Sequence, residues 1–216
     1  MSPLTLYNSN LSIPCRLVRL VAGAVGVDLK IVNVNPRVDL RKPEWLKRNP
    51  QHTVPVLEDN GLWLTESRAI STYIVSKYAK DDSLYPKDVN KRVLVDQKLF
   101  FDQDLFNRLA SVFRPQIFGT SLDPSSVDKV SDSLESLTRM LEDKQWLAGE
   151  KITLADYAVA ITLAGVELAP EAAGLDLTKY SNIKQWLSRF EGCTPQIFEH
   201  RKGLREALVQ RLQSVK

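Results

Sequence analysis

Hydrophobic and polar positions follow two different patterns along the chain, and the change falls near residue 80. Before it, short apolar runs typical of strands, such as LTLY at residues 4–7 and LKIVNV at 29–34, alternate with segments of helical spacing. After it, apolar residues recur at three- and four-residue intervals, which predicts helices. The sequence therefore predicts an α/β domain followed by an all-α domain.

The first half predicts a βαβ unit followed by a hairpin. A helix over residues 14–26 separates the first two strands, so those strands are expected to be parallel. Asp59-Asn60-Gly61 lies between two further β runs and is a strong hairpin signal, so that pair is expected to be antiparallel. With a short helical turn at 43–49 and a helix over 66–78, the order β-α-β-α-β-β-α resembles that of a thioredoxin-like domain.

The second half predicts a helical domain that follows a polar linker. Residues 80–88 are polar and contain proline, so the expected domains are residues 1–79 and 89–216. The first predicted helix of the second domain covers residues 89–113. Four further helices, the second opened by the capping-box sequence TLAD, are predicted at about 126–143, 154–168, 183–191 and 203–215.

Composition and charge argue against several classes of function. The chain has 216 residues, 44% hydrophobic and 25% charged, which is usual for a globular protein. A net charge of +3 is too small to indicate nucleic-acid binding. We see no apolar run of the roughly 18 residues that span a membrane and no signal-peptide pattern. Two cysteines, Cys15 and Cys193, are too few for a disulfide framework and favour a reducing, cytoplasmic setting.

Ser12-Ile13-Pro14-Cys15 has the form of a redox C-x-P-C motif whose first cysteine is replaced by serine. In redox proteins that first cysteine is the attacking thiolate, so a thiol–disulfide oxidoreductase would lack its nucleophile here. A hydroxyl can instead donate a hydrogen bond to the thiolate of another molecule. The alternative interpretation is that Ser12 only caps the helix that begins near Pro14.

Several stretches resemble cytosolic glutathione S-transferases of the insect delta and epsilon classes. They are LSIPCR, NPQHTVPVL, DNGLWLTESRAI, SLYPKD and LAGEKITLADY, and together they extend over essentially the whole chain. The N-terminal LYNSNLSIPCR carries its serine at the epsilon spacing. The resemblance implies the glutathione transferase fold: an N-terminal thioredoxin-like domain that binds glutathione, and a C-terminal helical-bundle domain that contributes the electrophile pocket.

The resemblance also implies an activity. The chain would conjugate reduced glutathione to small hydrophobic electrophiles, as in xenobiotic and insecticide detoxification, with Ser12 stabilising the thiolate. Tyr7 is the rival donor, because other transferase classes use a tyrosine at the end of the first strand. Glutathione would be a co-substrate, with no cofactor and no metal, and the protein a cytoplasmic homodimer without nucleic-acid or membrane partners. The alternatives are the family's peroxidase, isomerase and dehydrochlorinase reactions, or a non-catalytic glutathione- or ligand-binding protein of the same fold.

Residues for binding glutathione follow from the same resemblance. The backbone of Val54, before an expected cis-Pro55, would pair with the cysteinyl unit of glutathione. His52 would lie near the glycyl carboxylate, and Gln51 is a weaker candidate in the same loop. The residues assigned to the γ-glutamyl unit are Glu66, Ser67 and Arg68.

One loop departs from the epsilon pattern. The segment after the second strand, NPRVDLRKPEW, has no histidine, so Arg41 or Lys42 would replace it against the glycyl carboxylate.

The electrophile pocket is expected along the apolar stripe of the first long helix, although such a stripe equally predicts a packed core. The residues expected in that pocket are Leu11, Phe106, Leu109, Val112, Phe113 and Phe118.

Overall fold

A computed structural model describes residues 4–170 and 173–213 of the chain. The chain divides into two compact units, Met1–Asp82 and Ser83–Lys216. The first unit is built around a four-stranded sheet, and the described part of the second consists of helices and their connections. The predicted succession of an α/β domain and an all-α domain is confirmed.

The sheet of the first unit has the strand order β2-β1-β3-β4. Strand β1 (Leu4–Asn8) pairs in parallel with β2 (Leu29–Asn33) and antiparallel with β3 (Val56–Asp59). Strand β3 pairs antiparallel with β4 (Leu62–Leu64). The predicted parallel and antiparallel pairs are both present, and with them the thioredoxin-like order.

The turn between β3 and β4 follows from its two central residues. Asn60 and Gly61 both have positive φ angles, 50° and 86°. A two-residue type I′ hairpin requires φ > 0 at both positions, and asparagine followed by glycine tolerates this best. The local sequence therefore sets the register of β3 and β4.

Three helices complete the first unit: α1 (Ile13–Ala24), α2 (Pro43–Leu46) and α3 (Ser67–Tyr78). Pro14 lies in the first turn of α1, where its missing N–H removes no hydrogen bond from the helix. Helices α1 and α3 pack against each other, and both bury apolar residues. Core packing therefore holds the starting points of α1 and α3 in place.

The second unit contains five α-helices in its described residues, and α6 lies at the centre. Every residue of α6 is buried, and the helix contacts α4, α7 and α8. No helix in residues 4–170 and 173–213 is both long and apolar enough to cross a membrane. The five helices are α4 (Val89–Phe118), α5 (Pro124–Met140), α6 (Leu154–Leu163), α7 (Ser181–Cys193) and α8 (Gln196–Gln213).

The start of α6 is fixed by a buried carboxylate. Asp156 is fully buried and accepts hydrogen bonds from the backbone N–H groups of Leu147 and Thr153, at 3.0 and 2.8 Å. It also accepts bonds from the Thr153 hydroxyl and from the indole N–H of Trp186, at 3.1 and 2.9 Å. Burial raises the pKa of Asp156, and the four donors partly oppose that effect. The predicted capping box is confirmed.

The predicted C-terminal boundary of α4 is wrong. The helix continues past residue 113 to Phe118 and includes Pro115. A proline inside a helix removes one backbone hydrogen bond, and here the burial of Ile117, which is 5% exposed, offsets that loss. The helix ends where Gly119 adopts a φ of 69°.

The predicted start of α8 is also wrong. The helix begins at Gln196, seven residues before the expected start at Gly203. Ile197, Leu204 and Leu208 are all buried, so one apolar stripe runs through the glycine. The predicted end of this helix, residue 215, lies outside the described residues.

Candidate active site

Strand register brings three segments of the first unit to one end of the sheet. Tyr7, near the end of β1, pairs with Val56 at the start of β3, and Leu57 pairs with Leu64 at the end of β4. The β1–α1 loop, the segment before β3 and the start of α3 therefore neighbour one another. Ser12 and the residues predicted to bind glutathione lie in these three segments, so the topology brings them together.

Ser12 is the N-cap residue of α1. Its backbone is extended, with φ −86° and ψ 110°, and its Oγ accepts a hydrogen bond of 3.2 Å from the N–H of Cys15. A hydroxyl that accepts a hydrogen bond can still donate its own proton. Ser12 and the preceding Leu11 are half-buried. The capping role is therefore real, and it leaves the hydroxyl able to act as a donor.

The two cysteines have different surroundings, and both are free thiols. Cys15 is fully buried, and burial raises its pKa to about 11 although the Ser12 hydroxyl and nearby arginines act in the opposite direction. It therefore stays a thiol at neutral pH and belongs to the core of the first unit. Cys193 is exposed at the end of α7.

The ring of Tyr7 belongs to an aromatic cluster. It stacks on Trp63, with ring centroids 5.6 Å apart and planes inclined by 20°, and meets Trp45 edge-on at 4.6 Å. The guanidinium of Arg48 lies 4.5 Å from the centroid of Trp63. Neither tryptophan was expected from the sequence, because the cluster joins α2 to two strands distant along the chain. The cluster holds the Tyr7 ring by packing.

The segment before β3 carries four predicted binding residues. The Val54–Pro55 peptide bond is cis, as expected. His52 has a φ of 45°, and its Nδ1 lies 3.3 Å from the carbonyl oxygen of Pro50. Gln51 is exposed, His52 and Val54 are half-buried, and Pro55 is buried. This segment thus presents one imidazole and one stretch of backbone at the end of the sheet.

The start of α3 has an unusual backbone. Glu66 has φ 66° and ψ 108°, in a region that residues other than glycine rarely adopt and that stores roughly 1–3 kcal/mol of strain. Within the described residues, no side chain caps this helix end. Ser67 is 3% exposed, and its Oγ accepts a 3.1 Å bond from Nη1 of Arg68. An uncapped helix start presents N–H donors and partial positive charge to an anion.

The loop after β2 reaches the same end of the sheet, since Asn33 at the end of β2 lies opposite Asn8 at the end of β1. Lys42 forms an ion pair of 3.3 Å with Asp39, and Arg41 is exposed. Hydrogen bonds from the backbone of Asn35 and from Lys42 lower the pKa of Asp39. Both candidate replacements for the loop histidine, Arg41 and Lys42, therefore lie on the surface of this loop.

Five of the residues predicted for the electrophile pocket lie on α4 in the second unit. Leu109 and Val112 are fully buried, whereas Phe106 and Phe113 are 8% and 5% exposed. Phe118, the last residue of the helix, is 43% exposed. The stripe therefore contributes to the core of the helical unit. Among residues 4–170 and 173–213, no cluster of three or more histidine, cysteine, aspartate or glutamate side chains could hold a metal ion.

Comparison with protein families gives two matches. Residues 2–76 match the family model described as Glutathione S-transferase, N-terminal domain, and residues 109–192 match Glutathione S-transferase, C-terminal domain. Glutathione S-transferase D7 of Drosophila melanogaster is 37% identical, in an alignment that covers 100% of this chain and 97% of that protein.

Solved structures of insect enzymes are similar over the whole chain. A delta-class glutathione transferase of Nilaparvata lugens has 40% identity and a TM-score of 0.85, with 97% of this chain and 100% of that chain covered. An epsilon-class glutathione S-transferase of the housefly, Musca domestica, has 32% identity and a TM-score of 0.84, with 96% of each chain covered. Both insect classes that the motifs resemble thus occur among the matches. The chain belongs to the glutathione S-transferase family and is a glutathione transferase.

Proposed function

We propose that this enzyme conjugates reduced glutathione to small hydrophobic electrophiles, with the Ser12 hydroxyl stabilising the glutathione thiolate. The observation that carries the proposal is the position of Ser12 as the half-buried N-cap of α1. Its Oγ accepts one bond from the Cys15 N–H and keeps a proton to donate. The hydroxyl therefore lies where a helix start also favours negative charge.

The interaction energies available at Ser12 are large enough to stabilise the glutathione thiolate. The thiol of glutathione has a pKa close to that of free cysteine, about 8.5, and lowering it by about two units requires about 2.7 kcal/mol in favour of the anion. A hydrogen bond to a charged group contributes about 1.5–3 kcal/mol. A helix N-terminus adds roughly 0.3–1 kcal/mol. Such a shift would raise the thiolate population at neutral pH about 25-fold.

The surroundings of Cys15 and Tyr7 support Ser12, rather than either of them, as the group that stabilises the thiolate. Cys15 is fully buried, and its pKa is raised to about 11, so it is a poor nucleophile and a poor partner for a second thiolate. The ring of Tyr7 packs between Trp45 and Trp63, which supports a structural role. A redox function is disfavoured because the attacking cysteine is replaced by Ser12.

The γ-glutamyl end of glutathione would bind at the start of α3. Its carboxylate would accept hydrogen bonds from the Ser67 hydroxyl and from the first N–H groups of the uncapped helix. Glu66 is exposed and would pair with the α-ammonium group. Arg68 already donates to the Ser67 Oγ and would hold that side chain in place.

The remaining parts of glutathione would bind beside the cis-proline. The backbone of Val54 would pair with the cysteinyl unit as an added strand does, and Pro55 fixes the turn that presents it. The glycyl carboxylate would lie near His52 and Gln51, with Arg41 or Lys42 supplying the charge that a loop histidine supplies in epsilon-class enzymes. Each end of the tripeptide would therefore meet a different segment of the first unit.

The family resemblance assigns two sets of residues to the hydrophobic co-substrate: Leu11, beside Ser12 in the first unit, and aromatic side chains of α4 in the second. Phe118 is 43% exposed, and Phe106 and Phe113 keep small exposed edges. Leu109 and Val112 are fully buried and would act only by fixing the packing of α4. We further propose that the enzyme works in the cytosol as a homodimer.

Two measurements made together test this proposal: retention on a glutathione column, and turnover of a generic aromatic electrophile with glutathione. We expect both for the native enzyme. The Ser12→Ala variant should stay on the column and lose most of its turnover. Retention of the native protein without turnover would instead support the non-catalytic ligand-binding alternative, and failure of both would overturn the glutathione site.

A further inference from the structure

Side chains from two sides hold the loop between β1 and α1 at Asn10. The contacts that Asn8, Asn33 and Arg16 make here are called the brace. On the sheet side, Asn8 is fully buried, and its Nδ2 donates to Oδ1 of Asn33 at 2.7 Å and to Oδ1 of Asn10 at 3.1 Å. On the helix side, Nη2 of Arg16 donates to the carbonyl oxygen of Asn10 at 2.6 Å. Strand β2 and helix α1 thus both hold the residue that lies two positions before Ser12.

Backbone hydrogen bonds continue this brace to Ser12 itself. The N–H of Ser12 donates to the carbonyl of Ser9 at 3.0 Å, and the carbonyl of Ser12 accepts the N–H of Arg16 at 3.1 Å. Arg16 therefore contacts the loop twice, through its backbone at Ser12 and through its guanidinium at Asn10. Displacement of the Arg16 side chain would remove the helix-side contact with Asn10 and leave only the contact from Asn8.

The position of Arg16 is costly for a side chain that only fills space. It lies four residues after the N-cap, where the positive end of the helix dipole disfavours a cation. It is also 3% exposed, and a buried guanidinium must be well hydrogen-bonded to be tolerated. The charge-assisted bond to the Asn10 carbonyl supplies such a partner. The contact with the loop is therefore one interaction that an aliphatic residue at this position could not make.

We infer that Arg16 is a positioning residue for Ser12. By holding the Asn10 carbonyl, its guanidinium keeps the β1–α1 loop in the conformation that directs the Ser12 hydroxyl towards the thiolate sulfur. Asn8 and Asn33 support the same loop from the sheet. This inference rests on the proposed function of Ser12, and Arg16 acts through the loop rather than on glutathione.

A double-mutant cycle tests this inference. The variants are Ser12→Ala, Arg16→Met, the two combined, and Arg19→Met as a matched control that removes the same charge from the same helix three residues further on. The measured quantity is the pKa of bound glutathione, followed by thiolate absorbance, together with kcat and KM for glutathione. Thermal unfolding of each variant shows that it is folded.

We expect Arg16→Met to raise the pKa of bound glutathione by about one unit, a tenfold loss of thiolate at neutral pH. In the Ser12→Ala background the same substitution should cause no further rise, because its effect passes through Ser12. Arg19→Met should leave that pKa unchanged. Arg16→Lys should raise the pKa of bound glutathione less than Arg16→Met does. If Arg16→Met does not fold, Asn33→Ala loosens the same brace from an exposed position and should shift the pKa in the same direction.

Two results would overturn the inference. An unchanged pKa in both Arg16→Met and Asn33→Ala would show that the brace does not position Ser12. Additive effects of Arg16→Met and Ser12→Ala would show that the charge of Arg16 acts independently. An unchanged pKa in Ser12→Ala alone would instead refute the proposed role of Ser12, so the two failures are distinguishable.

Discussion

Two neighbouring side chains at the start of α1, Cys15 and Ser12, differ in their ability to reach a ligand because their exposure differs. Cys15 is fully buried, and its raised pKa of about 11 keeps it protonated. Ser12, one turn earlier, is half-buried and has a proton to donate. The motif is therefore suited to binding a thiolate rather than to supplying one. Ser67 differs from Ser12 in being buried, and its hydroxyl lies at an uncapped helix start.

The Ser67→Ala variant should raise KM for glutathione about tenfold and leave kcat nearly unchanged. A hydrogen bond to a carboxylate contributes about 1.5–3 kcal/mol, and this one is remote from the sulfur, so it is lost equally from the ground state and the transition state. Ser76→Ala, an exposed position on the same helix, is the matched control and should change neither constant. Steady-state kinetics with varied glutathione measures both, and a fall in kcat with an unchanged KM would contradict the assignment.

Elements whose determinants are local could be predicted from the sequence. The hairpin at Asn60-Gly61 and the capping box at Asp156 depend on residues within a few positions of each other, and both are observed. The end of α4 and the start of α8 could not be predicted, because long-range burial overrides the local signals of Pro115 and Gly203.

Contacts that depend on strand pairing were missed for a related reason. Asn8 and Asn33 are 25 residues apart and meet only because β1 and β2 are parallel neighbours. The candidate binding residues could be predicted because their motifs resemble those of glutathione transferases. The hydrogen bond from Asn8 to Asn33, which supports the loop before Ser12, could not be predicted, because it depends on the pairing of β1 with β2.

Helix α3 is tied to the β3–β4 hairpin by one carboxylate. Asp59 is 3% exposed, and its Oδ2 accepts bonds of 2.6 Å from the hydroxyls of Tyr73 and Tyr78 and from Nζ of Lys77. Burial by itself raises the pKa of Asp59, but the bonds from Lys77 and the two tyrosines outweigh it and hold that pKa well below the ordinary value. The orientation of α3, and with it the position of Ser67, depends on this cluster.

The Asp59→Asn variant should lower the free energy of unfolding by about 1–3 kcal/mol at neutral pH, because it leaves buried donors without an adequate acceptor. A depressed folded-state pKa gives stability that is complete above the unfolded value, about 3.9, and is lost as the pH falls towards the folded value. Urea unfolding at several pH values should therefore show a constant difference from the native protein above about pH 5 and a shrinking difference below about pH 4.

The control for this prediction is Asp104→Asn, which breaks the surface ion pair with Arg108. Exposed pairs of this kind contribute little to stability, so the control should match the native protein closely. A difference between native and Asp59→Asn proteins that does not change with pH down to pH 3 would mean that the ionised form of Asp59 is not the stabilising species.

At the scale of the whole molecule, three exposed apolar side chains lie along one stripe of α4. Val89, Val93 and Phe100 are 71%, 50% and 78% exposed, and their spacing places them on the same face of the helix. Exposed apolar side chains that share one helix face are typical of protein–protein interfaces. A second copy of the chain is the partner that the proposed homodimer supplies.

The Phe100→Asp variant should shift the protein towards monomers, because a charge would have to be buried at the interface. Phe198→Asp is the matched control: Phe198 is 51% exposed on α8 and lies outside this stripe. Sedimentation measures the assembly. Glutathione binding over the same concentration range shows whether dissociation weakens the glutathione site. A Phe100→Asp protein that remains dimeric would exclude this stripe as the interface.

The pKa of glutathione bound to the enzyme reports whether the Ser12 hydroxyl stabilises the thiolate. Thiolate absorbance as a function of pH measures it in the native protein, in Ser12→Ala and in Tyr7→Phe. We predict that Ser12→Ala raises this pKa towards the value of about 8.5 of a free thiol while glutathione still binds, and that Tyr7→Phe leaves it unchanged. A pKa that is unaffected by Ser12→Ala and raised by Tyr7→Phe would rule out Ser12 and identify Tyr7 as the donor.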